Sequence, residues 1–202
     1  MTRPRLLTEL DCLREHLTDH LAAARAMETV LPAVQEVAEL LCQRFAAGGH
    51  VYSFGNGGSA ADAQHFTGEL IGHYKRSRRA LPAVTLSTDP TVMTCIANDY
   101  DYADVFARQI SALAHPDDVI VAFTTSGRSA NVVTGLKVAQ LAGATTVLFG
   151  GCGGGPASQH ADYALLASAE RTPRVQEMHT LMLHMISDYV DAWAADSQPA
   201  EQ

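Results

Sequence analysis

Cysteine is scarce and scattered. The four present, Cys12, Cys42, Cys95 and Cys152, contain no CxxC pair, which removes the usual thiolate metal and redox motifs and makes a disulfide framework unneeded in a chain this long. Positive charge is also short: 14 Lys and Arg face 22 Asp and Glu, a net charge of −8. That balance argues against an extended basic face for nucleic acid, while leaving room for a small anionic ligand. No apolar run approaches the ~20 residues of a membrane span. The opening "MTRPRLLTELDCLREHL" reaches an acidic residue at Glu9 without building a signal-peptide core. The expectation is a cytoplasmic protein with no membrane or nucleic-acid partner.

What is present is one core's worth of chain. The 202 residues are 47% hydrophobic with a mean hydropathy near zero, which fits a single domain. Apolar residues recur at helical spacing from Leu6 to Ala47, with Pro32 placed to start a second helix, and the pair ends at Gly48-Gly49. The texture then changes to five short β-rich runs, "HVYSF", "PAVTL", "DVIVAF", "TTVLF" and "DYALLA". The segments between them predict helices over Ser59–Gly72, Pro90–Asn98, Tyr102–Leu113, Ser129–Ala142 and Thr172–Trp193. Strands alternating with helices imply an α/β fold with a doubly wound parallel sheet. Residues 1–48 read as an N-terminal helical extension, 49–194 as the α/β core and 195–202 as a frayed tail. The patch "GGCGGGP", Gly150–Pro156, reads as a flexible connection.

Ligands of open parallel sheets bind outside the carboxyl ends of the strands. Two turns there are unusual: Gly55-Asn56-Gly57-Gly58-Ser59 and Thr124-Thr125-Ser126-Gly127-Arg128-Ser129. Each leads into a helix whose first N–H groups lack intrahelical partners, and neither carries the GK[ST] of a Walker loop or the GxGxxG of a dinucleotide fold. Ser59 and Ser129 also suit ordinary helix caps. Two hydroxyl- and glycine-rich turns on one sheet edge nevertheless favour a phosphate pocket.

Beyond the first turn, His65 and Glu69 stand at i and i+4, about 40° apart around the helix axis. Gln176 and His184, in "VQEMHTLMLH", stand eight apart and within about 80° on an otherwise apolar helix. Together these four could form a proton-shuttling pair or a Zn²⁺ site with N and O ligands, and spacing does not choose between them. His179 reads as a core residue.

The segments "GNGGSAADAQHFTGEL", "IANDYDYADVFARQI", "TTSGRSANVV" and "VQEMHTLMLH" resemble, in order and over nearly the whole chain, the sugar-isomerase (SIS) domain proteins of the phosphoheptose isomerase group. The resemblance implies a flavodoxin-like five-stranded parallel sheet and a homotetramer, assembled through the N-terminal helices, with active sites between subunits. It implies isomerisation of sedoheptulose 7-phosphate to a glycero-manno-heptose 7-phosphate. Glu69 and His184 match the catalytic acid/base pair. Asn56, Gly57, Gly58, Ser59, Ser126, Ser129 and Gln176 match substrate- and phosphate-binding positions, and Asp99 and Thr125 match further active-site positions. His65, Glu69, Gln176 and His184 match four ligands of one zinc per subunit. A non-catalytic branch binds the bacterial replication initiator and lacks the Glu and final His that this chain keeps, which favours the enzyme; a sugar-phosphate-sensing regulator is disfavoured by the absence of an attached DNA-binding segment. The family usually carries Arg where this chain has His73, Asn at Arg128, Ser at Thr124 and an acidic residue at Pro173. These departures bear on substrate choice, with Arg128 a candidate phosphate contact. Lys75–Arg79, "KRSRR", reads as a solvated loop.

Overall fold

Five strands, β1 (Val51–Gly55), β2 (Ala83–Thr85), β3 (Val119–Thr124), β4 (Thr145–Gly150) and β5 (Tyr163–Leu166), form one sheet in the computed structural model, which describes residues 9–197. The order is β2-β1-β3-β4-β5 and every pairing is parallel, the flavodoxin-like doubly wound arrangement. Helices α1 (Glu9–Ala26), α2 (Leu31–Ala46), α3 (Gly58–Ile71), α4 (Pro90–Asp99), α5 (Ala107–Leu113), α6 (Ala130–Leu141) and α7 (Thr172–Asp196) complete it. The start of the first helical run at Leu6 and Leu7, and residues 198–202 of the expected tail, lie outside the described residues. Asp196 is still helical, so the fold continues past residue 195, where fraying was expected.

The sheet is buried on both faces because alternate side chains of its central strands feed two cores. Val119, Val121, Phe123, Val147 and Phe149 join α2, α3 and α7 on one face. Phe54, Ile120, Ala122 and Leu148 join α4–α6 on the other. Phe123 and Phe149 stack at 4.3 Å with His179 against both rings. His179 is fully buried and its Nε2 lies 3.2 Å from the Gly150 carbonyl, so the core reading holds. Burial pushes its pKa down to about 4.

Three expectations are corrected. The helix expected over Tyr102–Leu113 is a 3₁₀ turn at Tyr102–Asp104, capped by the Asp101 carboxylate, followed by α5 from Ala107. Lys75–Arg79 is not simply solvated: the Arg78 side chain is buried and pairs with the buried Asp191 of α7. The Gly150–Pro156 connection is held by backbone contact rather than loose, because the 151–155 loop lies directly on the Thr125–Gly127 turn. A Cβ on Gly151 would sit 2.1 Å from the Thr125 carbonyl oxygen, and one on Gly127 1.8 Å from that of Gly154. Ala157 also donates its N–H to the Gly127 carbonyl at 3.0 Å.

Two measurements check this packing. Gly127 (φ +63°) and Gly153 (φ +74°) both occupy left-handed backbone, but only Gly127 has close neighbours. Alanine at Gly153 should cost about 1 kcal/mol of conformational strain and alanine at Gly127 clearly more, by urea unfolding; equal losses would show that the two loops are not in contact. For His179, the folded pKa lies below the unfolded value near 6.5, so the unfolded chain binds the extra proton as pH falls from about 6.5 toward 4. Relative to His179→Leu, the native chain should therefore lose stability across that window, by at most about 1.4 kcal/mol per pH unit. Parallel curves for the two proteins would place the imidazole in water.

Candidate active site

A parallel sheet gathers the N-termini of its following helices at one edge, and three of them meet here. The start of α3 supplies Gly58 and Ser59, the start of α6 supplies Ser129, and the start of α7 supplies Thr172 and Gln176. With Asn56 and the turn after β3 they enclose a pocket of about 270 Å³. Among the described residues, no Lys or Arg lines it. What it offers an anion is therefore three helix N-termini and a set of hydroxyls. A larger cavity of about 460 Å³ lies at the opposite end of the sheet, near Arg44 and Thr145. Arg44 there already donates to Thr145 and pairs with Asp117.

The two serines do not act as ordinary caps. Gly57, at φ +56°, caps α3 and leaves Ser59 inside the first turn; Ser129 occupies the cap position of α6 but makes no side-chain capping bond. Both hydroxyls line the pocket. Gly58 is bare because Gln176 rests on it, a Cβ there falling 2.4 Å from the amide nitrogen. Thr124 Oγ1 accepts the Gly127 N–H and Ser126 Oγ accepts the Arg128 N–H, which sets the shape of the second turn. Thr125 and Ser126 also line the pocket. Asn56 exchanges two 2.9 Å amide hydrogen bonds with the buried Asn131 and accepts from Tyr102.

The second part of the site lies farther along α3 and α7, which run side by side with Thr180 donating to Asp62 between them. The Asp62 carboxyl is pushed up by burial, against the opposing effects of Thr180 and His65. His65, Glu69 and His184 follow, with ligand atoms all within 4.8 Å of one another. His65 Nε2 is 3.1 Å from Glu69 Oε1 and 3.3 Å from His184 Nε2. Burial and then the neighbouring His65 lower the His184 pKa, with Glu69 opposing them. That shift favours the neutral imidazole, the form able to accept a proton or bind a metal. Two imidazoles and a carboxylate are a donor set suited to a catalytic metal.

Of the residues singled out from sequence, Asn56, Gly58, Ser59, Thr125, Ser126, Ser129 and Gln176 come together in the pocket, and His65, Glu69 and His184 in the cluster. Gln176 is separated from His184 by about 12 Å of helix rise. Asp99 is exposed at the end of α4, where it accepts from Asn98 and Cys95 rather than from a pocket residue. Arg128 and His73 are exposed and outside the pocket lining, and Pro173 lies in the first turn of α7. Thr172 and Asn131 were missed; a hydroxyl at the start of a third helix on the same sheet edge was the available signal for Thr172.

The SIS domain family model matches residues 17–151. The phosphoheptose isomerase of Trichlorobacter lovleyi is 43% identical over 180 residues, covering 89% of this chain and 92% of that protein. That of Aquifex aeolicus is 44% identical over 158 residues, covering 78% and 83%. The solved structure of a phosphoheptose isomerase from Neisseria gonorrhoeae superposes with a TM-score of 0.87 at 35% identity, covering 92% of this chain and all of that one. A phosphoheptose isomerase from Francisella tularensis gives 0.89 at 30% identity, covering 92% and 99%. Similarity of this extent in both sequence and structure means that the chain belongs to the SIS-domain family, in its phosphoheptose isomerase group.

Proposed function

We propose that the chain is an aldose–ketose isomerase that converts sedoheptulose 7-phosphate to a glycero-manno-heptose 7-phosphate. The observation that carries this is the placement of Glu69 and His184 together, farther along the same two helices whose N-termini open on an anion pocket. That separation suits a sugar with its phosphate at one end of the carbon chain and its carbonyl at the other. Relatives named phosphoheptose isomerase support the substrate. The scaffold alternative is not favoured, since both acid/base residues are kept.

In this reading, Asn56, Gly57, Gly58, Ser59, Thr125, Ser126 and Ser129 hold the phosphate end, with Gln176 and Asp99 further substrate contacts. Glu69 takes the proton from C1 of the ketose and returns a proton to C2. His184 donates to O2 and accepts from O1, so the carbonyl moves from C2 to C1 through an enediol with no net change of protons. His65 and Tyr74, beside His184, fix where its ring sits.

Zn²⁺ is the metal we assign to His65, Glu69 and His184, whose N and O donors fit it; Gln176 would join as fourth ligand only by turning from Gly58. When bound, the metal would polarise the carbonyl and stabilise enediolate charge. A carboxylate bound to metal is a poorer base, so Glu69 must loosen its ligation during turnover if it serves both roles.

Leu10, Leu13, Leu17 and Leu21 form an exposed apolar stripe on α1. It supports assembly through the N-terminal helices; a homotetramer with sites between subunits is our reading of that assembly. Among the described residues, no helix is long and apolar enough to cross a membrane; a cytoplasmic enzyme without nucleic-acid partners is our reading.

Glu69→Gln keeps size and hydrogen bonding while removing the base, so turnover of sedoheptulose 7-phosphate should fall by about 10³-fold or more with the melting temperature retained. A Gln variant with the native rate would remove Glu69 from the chemistry.

A further inference from the structure

The Gly72–Arg79 segment joins the end of α3 to β2 and runs back across α7. Its anchor is the Asp191 carboxylate, which accepts the backbone N–H groups of Tyr74, Lys75 and Arg76 at 3.2, 2.9 and 2.6 Å. Asp191 also receives Arg78 Nε at 2.9 Å, with side-chain exposures of 0% and 1% for the pair. Burial alone would raise the Asp191 carboxyl. The three N–H groups and the guanidinium outweigh it and hold the group below the usual carboxylate range. Arg78 spends its other nitrogens on main-chain carbonyls, donating to Glu69 at 2.6 Å and Leu70 at 2.8 Å. It thereby closes the C-terminal turn of α3, where the last carbonyls have no helical partners.

This buried charge network reaches the acid/base cluster from both sides. Glu69 lends its carbonyl to Arg78 and its carboxylate to the cluster. Asp191 stands seven residues after His184, two turns along the same stripe of α7. Tyr74 donates its N–H to Asp191 and lays its ring on His184, with centroids 5.4 Å apart and planes 27° from parallel. His65 meets the same imidazole edge-on at 4.9 Å. A buried ion pair is weak evidence for stability, since desolvation consumes much of its attraction, but it does fix geometry.

Resting on the isomerase reading above, we propose that the Asp191–Arg78 clamp, acting through the ring of Tyr74, is the positioning device of the acid/base pair: it fixes the His184 imidazole and the end of α3 that carries Glu69. Tyr74, Arg78 and Asp191 are positioning residues, acting on the rate through His184 and Glu69 rather than by touching the sugar.

Steady-state kinetics on Tyr74→Leu test this, because leucine keeps apolar bulk but not a flat face. The expected result is a fall in kcat of about 10-fold with KM within about twofold and an unchanged melting temperature, and recovery of the rate in Tyr74→Phe. A native kcat in the Leu variant, or a Phe variant as slow as Leu, would overturn the proposal. Arg78→Lys, a milder change than removing Asp191, should lower kcat in the same direction without raising KM. A crystal structure of Tyr74→Leu reads the same claim without turnover: His184 should rotate away from its 3.3 Å approach to His65, and an unmoved imidazole would contradict the device. If the native protein converts no sedoheptulose 7-phosphate, the functional reading fails while this structural comparison still decides the positioning claim.

Discussion

All five strands point the same way, and the rest of the molecule follows from that constraint. Parallel strands require a crossover connection, usually a helix, and a helix that directly follows a strand begins at the carboxyl edge of the sheet. Three such starts, those of α3 after β1, α6 after β3 and α7 after β5, open on one pocket. Positive dipole ends and hydroxyls concentrate there, and among the described residues no lysine or arginine is in the lining. This explains how an acidic chain of net charge −8 can offer a site for a phosphate. The charge total reports on the surface as a whole, whereas the pocket is built from helix starts and uncharged polar side chains.

The same constraint divides the labour between the ends of two helices. The first turns of α3 and α7 hold the anion pocket, and their later turns carry Glu69, His65 and His184. Because the pocket and the His/Glu cluster ride on the same pair of rods, anything that slides or tilts one against the other changes the spacing between them. The Thr180–Asp62 bond lies midway along the pair, and the Asp191–Arg78 clamp closes its far end. The Thr125–Gly127 turn is held separately, by bare glycine backbone from the loop after β4.

Much of this was legible before the structure. The β-rich runs, the helices between them and the two glycine- and hydroxyl-bearing turns follow from local periodicity and turn chemistry, and the i,i+4 pair His65 and Glu69 lies together as its spacing requires. What was not legible depended on geometry that a one-dimensional pattern lacks. Gln176 and His184 share a side of α7 by angle, yet the helix rise between them puts Gln176 at Gly58, in the pocket. Arg78 and Asp191 are 113 positions apart, so a run of basic residues gave no sign of a buried partner. The glycines after β4 signal freedom in a sequence, but in the fold the missing Cβ atoms of Gly151 and Gly155 admit another stretch of backbone. Apolar periodicity over Tyr102–Leu113 likewise could not reveal the 3₁₀ turn that Asp101 caps.

The most direct test follows the hydrogen. Purified protein incubated with sedoheptulose 7-phosphate in D₂O, with and without added Zn²⁺, is read by NMR for an aldoheptose 7-phosphate and for deuterium at its C2. Conversion with deuterium at C2 is the expected result, because a base in the proposed role of Glu69 would exchange its proton with solvent at the enediol stage. Absence of conversion under both conditions would contradict a heptose phosphate isomerase, leaving the three-helix anion pocket to another phosphorylated sugar.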